Sequence, residues 1–176
     1  MVRVWDPLVR TLHWALALSF AIAWFSAESF ERLHEASGYV AGGLVLARIG
    51  WGFLGPAYAR FSQFVRPLSV VIGYLRSIAA GAEKRFVGHN PAGGAMIVAL
   101  LASTAATGMT GWALTTDAFW GSILMQRLHA LLAHGVLLLI LLHLGGITLA
   151  CFRHSENLPM AMVFGVKRAA EPGDVA

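Results

Sequence analysis

The chain has 176 residues, 57% of them hydrophobic and only 12% charged, with a formal net charge of +4. Soluble domains run nearer to about 45–50% apolar and about 25% charged, so this balance excludes a water-soluble globular protein and argues for one built into a lipid bilayer. It also argues against nucleic acid as a partner, because the cations flank apolar segments instead of forming a dense basic run.

A membrane span needs about 20 mostly apolar residues, and four segments qualify, approximately 8–28, 34–55, 92–114 and 128–151. Asp6-Pro7 reads as a helix N-cap followed by proline at the first helical position, and starts span one. No small-x-small cleavage site follows that span around Phe25, Ser26 and Ala27, so it is read as retained and not as a signal peptide. Span two opens near His34. The loop 56–88 is long, and within its "RPLSVVIGYLRSIAAG" the residues Val70, Val71, Tyr74, Leu75 and Ile78 fit one helical face. That pattern predicts an amphipathic helix lying in the interface. Asn90-Pro91 in "GHNPAGG" repeats the cap-and-proline signal and starts span three. Span four contains "RLHALLAHGVLLLILLHLGG". Beyond Arg153, "ENLPMAMVFGVKR" is expected on the inner surface, and residues 169–176, "AAEPGDVA", as a disordered tail. The expected fold is all-α: an integral membrane four-helix bundle formed by one domain, residues 1–168, with an added interfacial helix between spans two and three.

The basic residues set the orientation. With the N-terminus inside, the inner side carries Arg3, Arg10, Arg48, Arg60, Arg66, Arg76, Lys84, Arg85, Arg153, Lys167 and Arg168, which leaves only Arg32 and Arg127 outside. The positive-inside rule therefore places both termini and the loop between spans two and three in the cytoplasm.

Small residues recur in and beside the spans, at Gly42, Gly43, Gly93, Gly94, Gly108, Gly111, Gly145 and Gly146. They allow helices to approach closely and leave room for a flat ligand. One cysteine, Cys151, gives no disulfide framework and no Cys-x-x-Cys-His attachment motif, so any haem is held non-covalently.

Seven histidines occur, at 13, 34, 89, 129, 134, 143 and 154. On a helix, the 14-residue interval between His129 and His143 leaves them about 40° apart around the axis and about 21 Å apart along it. They share a face but lie near opposite sides of the membrane, so no single metal ion uses both. His134 stands about 140° from one and about 180° from the other, and reads as a packing or hydrogen-bonding residue. His13 lies near the inner end of span one and His143 near the inner end of span four; His34 and His129 open spans two and four on the outer side. The levels match in two pairs, His13 with His143 and His34 with His129.

Two imidazoles per site without carboxylate or thiolate is an unusual set for zinc and suits the axial positions of a haem. The acids Glu28, Glu31, Glu35 and Asp117 lie at the outer edge, so a metal-ion transporter with mixed ligands is disfavoured. Arg48, 14 residues after His34, is placed at the inner end to meet haem propionates, with Arg10 a second candidate; Arg32 and Arg127 are the cations near the outer site. His89 reads as part of the Asn90-Pro91 helix start, and His154 as an interfacial residue.

"RTLHW" in span one, "LHEASGY" opening span two, "GHNPAGG" before span three and "LHALLAHGVLLLILLH" in span four resemble the bacterial cytochrome b561 family and the related cytochrome b subunits of hydrogenase-like complexes. The resemblance runs from roughly Val4 to Arg168. It implies a four-helix bundle with two haems b, the inner one held by His13 and His143 and the outer one by His34 and His129. It further implies a multi-pass protein of the bacterial inner (plasma) membrane. That protein would pass electrons between a quinone pool, ubiquinone or menaquinone, and a periplasmic cytochrome c or other redox protein of a respiratory chain. One branch resembles superoxide:quinone oxidoreductases, and another serves as haem-bearing membrane anchors of larger oxidoreductase complexes. Members of the hydrogenase type usually have a fifth helix, and four spans are found here.

Overall fold

The structure is a computed structural model and describes residues 1–175. Its order is β1 (Val2–Arg3), α1 (Pro7–Ser26), α2 (Glu31–Leu54), a 3-10 turn at Ala57–Ala59, α3 (Phe61–Phe64), α4 (Leu68–Ala79), α5 (Pro91–Leu114), α6 (Ile123–His154), α7 (Leu158–Phe164) and β2 (Val166–Lys167). The described residues are thus almost wholly helical, with seven helices and one short antiparallel ribbon pairing Val2 with Lys167 and Arg3 with Val166.

The sequence signals for the helix starts act as expected. Asp6 Oδ1 accepts from the amides of Leu8 at 3.0 Å and Val9 at 3.1 Å, and Asn90 Oδ1 accepts from the amide of Gly93 at 2.6 Å. Each satisfies donors that the first turn of a helix leaves open. Among the described residues, α1, α5 and α6 are long and apolar enough to cross a membrane. α2 is as long as α5 but carries Glu31, Arg32, Glu35 and Arg48 and several glycines, which lower its hydropathy. On α6, Leu131, Leu138, Leu141, Leu142 and Leu144 are all exposed. A water-soluble protein does not tolerate so large an uncovered apolar surface; hydrocarbon does.

The chain forms two compact units. The first comprises Met1–Arg10, Trp51–Ala99 and Leu141–Ala176. Its core holds Val4, Trp5, Val87 and Ala161, with Val2, Tyr58 and Met162 packed against them. Burial, with the nearby Glu83 charge, pushes the Tyr74 hydroxyl up to about 12, and it donates to the Lys84 carbonyl at 3.2 Å. α7 ends at Gly165, whose φ of 81° is a left-handed C-cap favoured by glycine. A buried ion cluster also belongs to this unit: Arg85 pairs with Glu156 and Asp174, and Lys167 reaches Glu156 at 3.3 Å. Residues read from sequence as a loose tail take part in it. Val175 donates its amide to the Arg85 carbonyl and accepts from the Val87 amide, both at 2.9 Å.

The second unit comprises Thr11–Gly50 and Leu100–Ile140. Leu12, Ala41, Val45, Leu101 and Val136 are its buried apolar residues. Tyr39 and Thr115 hydroxyls meet at 3.2 Å.

Candidate functional site

Two of the sequence-selected histidines come together inside the second unit. His34, in the first turn of α2, and His129, in the second turn of α6, have ring centroids 6.0 Å apart and planes at 87°. Each ring is fixed from behind. His34 Nδ1 lies 2.8 Å from the Ala23 carbonyl of α1, and His129 Nδ1 lies 3.0 Å from the Thr107 carbonyl of α5. A carbonyl only accepts, so both Nδ1 atoms carry the proton. The tautomer that remains offers Nε2 with a free lone pair.

Two more α5 residues shape this seat. The Thr110 hydroxyl lies 3.1 Å from His129 Nδ1. Gly111 gives the ring its room, since a Cβ there would stand 3.0 Å from His129 Cε1. The sequence marks Gly111 only among several small residues that ease packing and leave room for a flat ligand, and it singles out neither Thr107 nor Thr110. The available signal was two hydroxyl residues spaced by three in an apolar span, which on a helix share a face.

The other candidates are placed separately. His13 lies in the second turn of α1 with its ring edge-on to Trp14 at 5.0 Å, and Arg48 is buried in α2; both belong to the second unit. His143 is half-buried on α6 and belongs to the first unit, as does Arg10. Arg10 Nη1 donates to the Val163 carbonyl near the end of α7, a helix C-terminus that favours a cation. His89 lies between Trp5 at 4.5 Å and Phe64 at 4.8 Å, tilted by 46° and 54° to their planes, just before the Asn90 cap. His134 bonds the Ala130 carbonyl of its own helix at 2.7 Å and lies edge-on to Trp24 at 5.2 Å.

The His34–His129 pair has the spacing that a metal held between two imidazoles requires. Two metal–imidazole bonds of about 2 Å in line put ring centroids about 6 Å apart, which matches the observed separation. Ligating histidines also characteristically donate their second ring nitrogen to a carbonyl, and both do so here. The residues fit a bis-histidine haem. Among the described residues no group of three or more histidine, cysteine or acidic side chains is placed to hold a bare metal ion.

Long apolar helices that present paired, tautomer-locked imidazoles define a helical membrane protein suited to haem. The family description of prokaryotic cytochrome b561 matches residues 4–165, and the chain belongs to that family. It is therefore a membrane cytochrome that binds haem b and carries electrons across the bilayer. No curated protein and no solved structure matches the chain.

Proposed function

We propose that the chain is a four-helix transmembrane dihaem cytochrome of the bacterial inner membrane, formed by residues 1–168, with both termini cytoplasmic. In this reading α2 crosses the bilayer beside α1, α5 and α6, and α4 lies in the inner interface. His34 and His129 hold the outer haem b, and His13 and His143 hold the inner one. Electrons pass between a quinone pool and a periplasmic redox partner. The observation that carries the reading is the His34–His129 pair, with rings 6.0 Å apart and both Nδ1 atoms engaged by carbonyls.

When bound, haem b supplies a one-electron couple at its iron. The chain does the rest. His34 and His129 would hold the haem through their Nε2 atoms, and the iron would supply the electron couple. The Ala23 and Thr107 carbonyls hold the imidazole planes and raise ligand basicity. Arg48, buried and 14 residues beyond His34, is assigned to a propionate of the inner haem. Arg10, which donates to the Val163 carbonyl, is the second candidate for that role.

The test is a reduced-minus-oxidised spectrum of the purified protein with a pyridine haem assay. Two haems b per chain are expected; none or one overturns the dihaem assignment. Reduction by quinol in membranes tests the quinone link. A soluble subunit that co-purifies stoichiometrically would make the protein the anchor of a larger complex.

A further inference from the structure

α4 has two apolar faces where the sequence pattern suggests one. Val71 and Tyr74 are buried and Ile78 is half-buried, so these three form the face turned into the first unit. Leu68, Ile72 and Leu75 recur at i, i+4 and i+7 and form a second face about 90° away. They are 71%, 40% and 49% exposed.

The charges around α4 sort in a matching way. Residues 56–88 contain Arg60, Arg66, Arg76, Lys84 and Arg85 but a single acid, Glu83. Arg85 is buried and neutralised by Glu156 and Asp174. Glu83 is buried and used by Arg153 at 2.8 Å. Arg60, Arg66, Arg76 and Lys84 are exposed, and among the described residues no carboxylate pairs with any of them. Arg60 and Arg66 are steadied by the main-chain carbonyls of Gly55 at 2.6 Å and Gln63 at 2.8 Å, which orients a guanidinium without cancelling its charge. The segment thus shows four cations, no free acid and an uncovered aliphatic stripe.

We propose that this surface binds anionic phospholipid. Leu68, Ile72 and Leu75 seat below the headgroups, while Arg66, Arg76 and Lys84 engage the phosphates. An amphipathic helix with cations at its edge binds in this way, by apolar burial plus attraction to anionic lipid. Arg76 stands about 40° from Ile72 around the helix, so its stem runs along the apolar stripe and its guanidinium reaches the headgroup level. Charge complementarity selects the occupant: a zwitterionic headgroup leaves the cations uncompensated, and an anionic one neutralises them. The proposal rests on the reading that this loop faces the inner leaflet.

Native mass spectrometry of the haem-loaded protein tests it, using phosphatidylglycerol and phosphatidylcholine with identical acyl chains. The expected result is retention of phosphatidylglycerol at least about tenfold tighter, at roughly fivefold per engaged cation before screening. A combined Arg66→Gln, Arg76→Gln, Lys84→Gln variant should bind both lipids alike. A combined Ile72→Ser, Leu75→Ser variant should weaken both lipids equally and keep the preference. An unaltered haem spectrum certifies the fold of each variant. Equal binding of the two lipids by the parent protein, or a preference that survives in the charge variant, overturns the proposal. Orientation is read separately, with Arg76→Cys in a Cys151→Ser background and a membrane-impermeant maleimide. Labelling only in inverted vesicles supports the inner-leaflet site. Labelling in intact spheroplasts overturns the orientation whatever the lipid preference.

Discussion

His34 and His129 stand ring to ring, 6.0 Å between centroids and 87° between planes, each with its Nδ1 on a main-chain carbonyl of a different helix. Four helices meet at this pair. α2 and α6 supply the rings, while α1 supplies the Ala23 carbonyl and α5 the Thr107 carbonyl. Neither ring depends on a metal for its tautomer. The two rings are set in advance, which would lower the entropy lost on capturing a cofactor between them.

On the dihaem assignment proposed above, replacing either member of the pair should remove one haem and leave the other. His34→Ala and His129→Ala are each expected to halve the haem-to-protein ratio in a pyridine haemochrome assay, with the remaining spectrum still that of a six-coordinate haem b. His134→Ala should leave the ratio unchanged, because that ring bonds the Ala130 carbonyl of its own helix.

Gly111 and Gly108 lie one turn apart on α5 and should behave oppositely. A Cβ at Gly111 would sit 3.0 Å from His129 Cε1 and 3.5 Å from Nδ1, whereas one at Gly108 meets nothing within 4 Å. Gly111→Val should displace the His129 ring and lower occupancy of the outer haem severalfold, read by spectroscopic titration. Gly108→Ala should load both haems normally.

Thr110→Val keeps the volume and removes the hydroxyl 3.1 Å from His129 Nδ1. The Thr107 carbonyl still fixes the ring, so the ligand stays in place. It loses part of the hydrogen bonding that makes it a stronger donor to iron. The reduction potential of the outer haem should rise, on the order of 40 mV for a hydrogen bond of about 1 kcal/mol in a one-electron couple. Spectroelectrochemistry should show one of two potentials moving.

The ion cluster of the first unit should fail in acid. Burial alone raises the Glu156 carboxyl, but hydrogen bonds and charge from Arg85 and Lys167 outweigh it and hold the group below its ordinary 4.5. Asp174 is likewise held below 3.8, first by the Glu171 amide and then by Arg85. A carboxylate with a depressed folded value stabilises fully above its unfolded value and loses that contribution as pH falls through the folded one. Residues 169–175 should therefore become protease-sensitive below about pH 4, a carboxylate range, and stay protected near neutrality. Arg85→Ala should expose the same segment at neutral pH, since it removes the cation that Asp174 and Glu156 share.

Helix boundaries were largely readable because bilayer thickness and local capping both write themselves into a contiguous stretch of chain. Span one was expected at 8–28 and the helix is Pro7–Ser26; span three was expected at 92–114 and the helix is Pro91–Leu114. The choice of His34 and His129 as partners followed from helical rise and topology alone. α6 was underestimated at both ends, and runs Ile123–His154, because its outer turns carry Gln126, Arg127, Arg153 and His154, which hydropathy discounts. The two faces of α4 were merged into one, since Val71 and Leu75 are both aliphatic and only packing separates them. The Arg85 cluster was invisible. Its partners, Glu156 and Asp174, lie 71 and 89 positions away in sequence, and no periodicity links them. Gly111 and Thr110 were equally silent as neighbours of His129, because their roles exist only once α5 lies against α6.

α6 has no proline between His129 and His143 and continues unbroken through both. That interval works like a reading frame. Side chains within it can be exchanged freely for others of similar bulk, but the count cannot change. One inserted residue turns the second imidazole by about 100°, and one deleted residue turns it as far the other way. Drift by substitution should be common in this stretch, and surviving length variants should fall in the loops on either side of it.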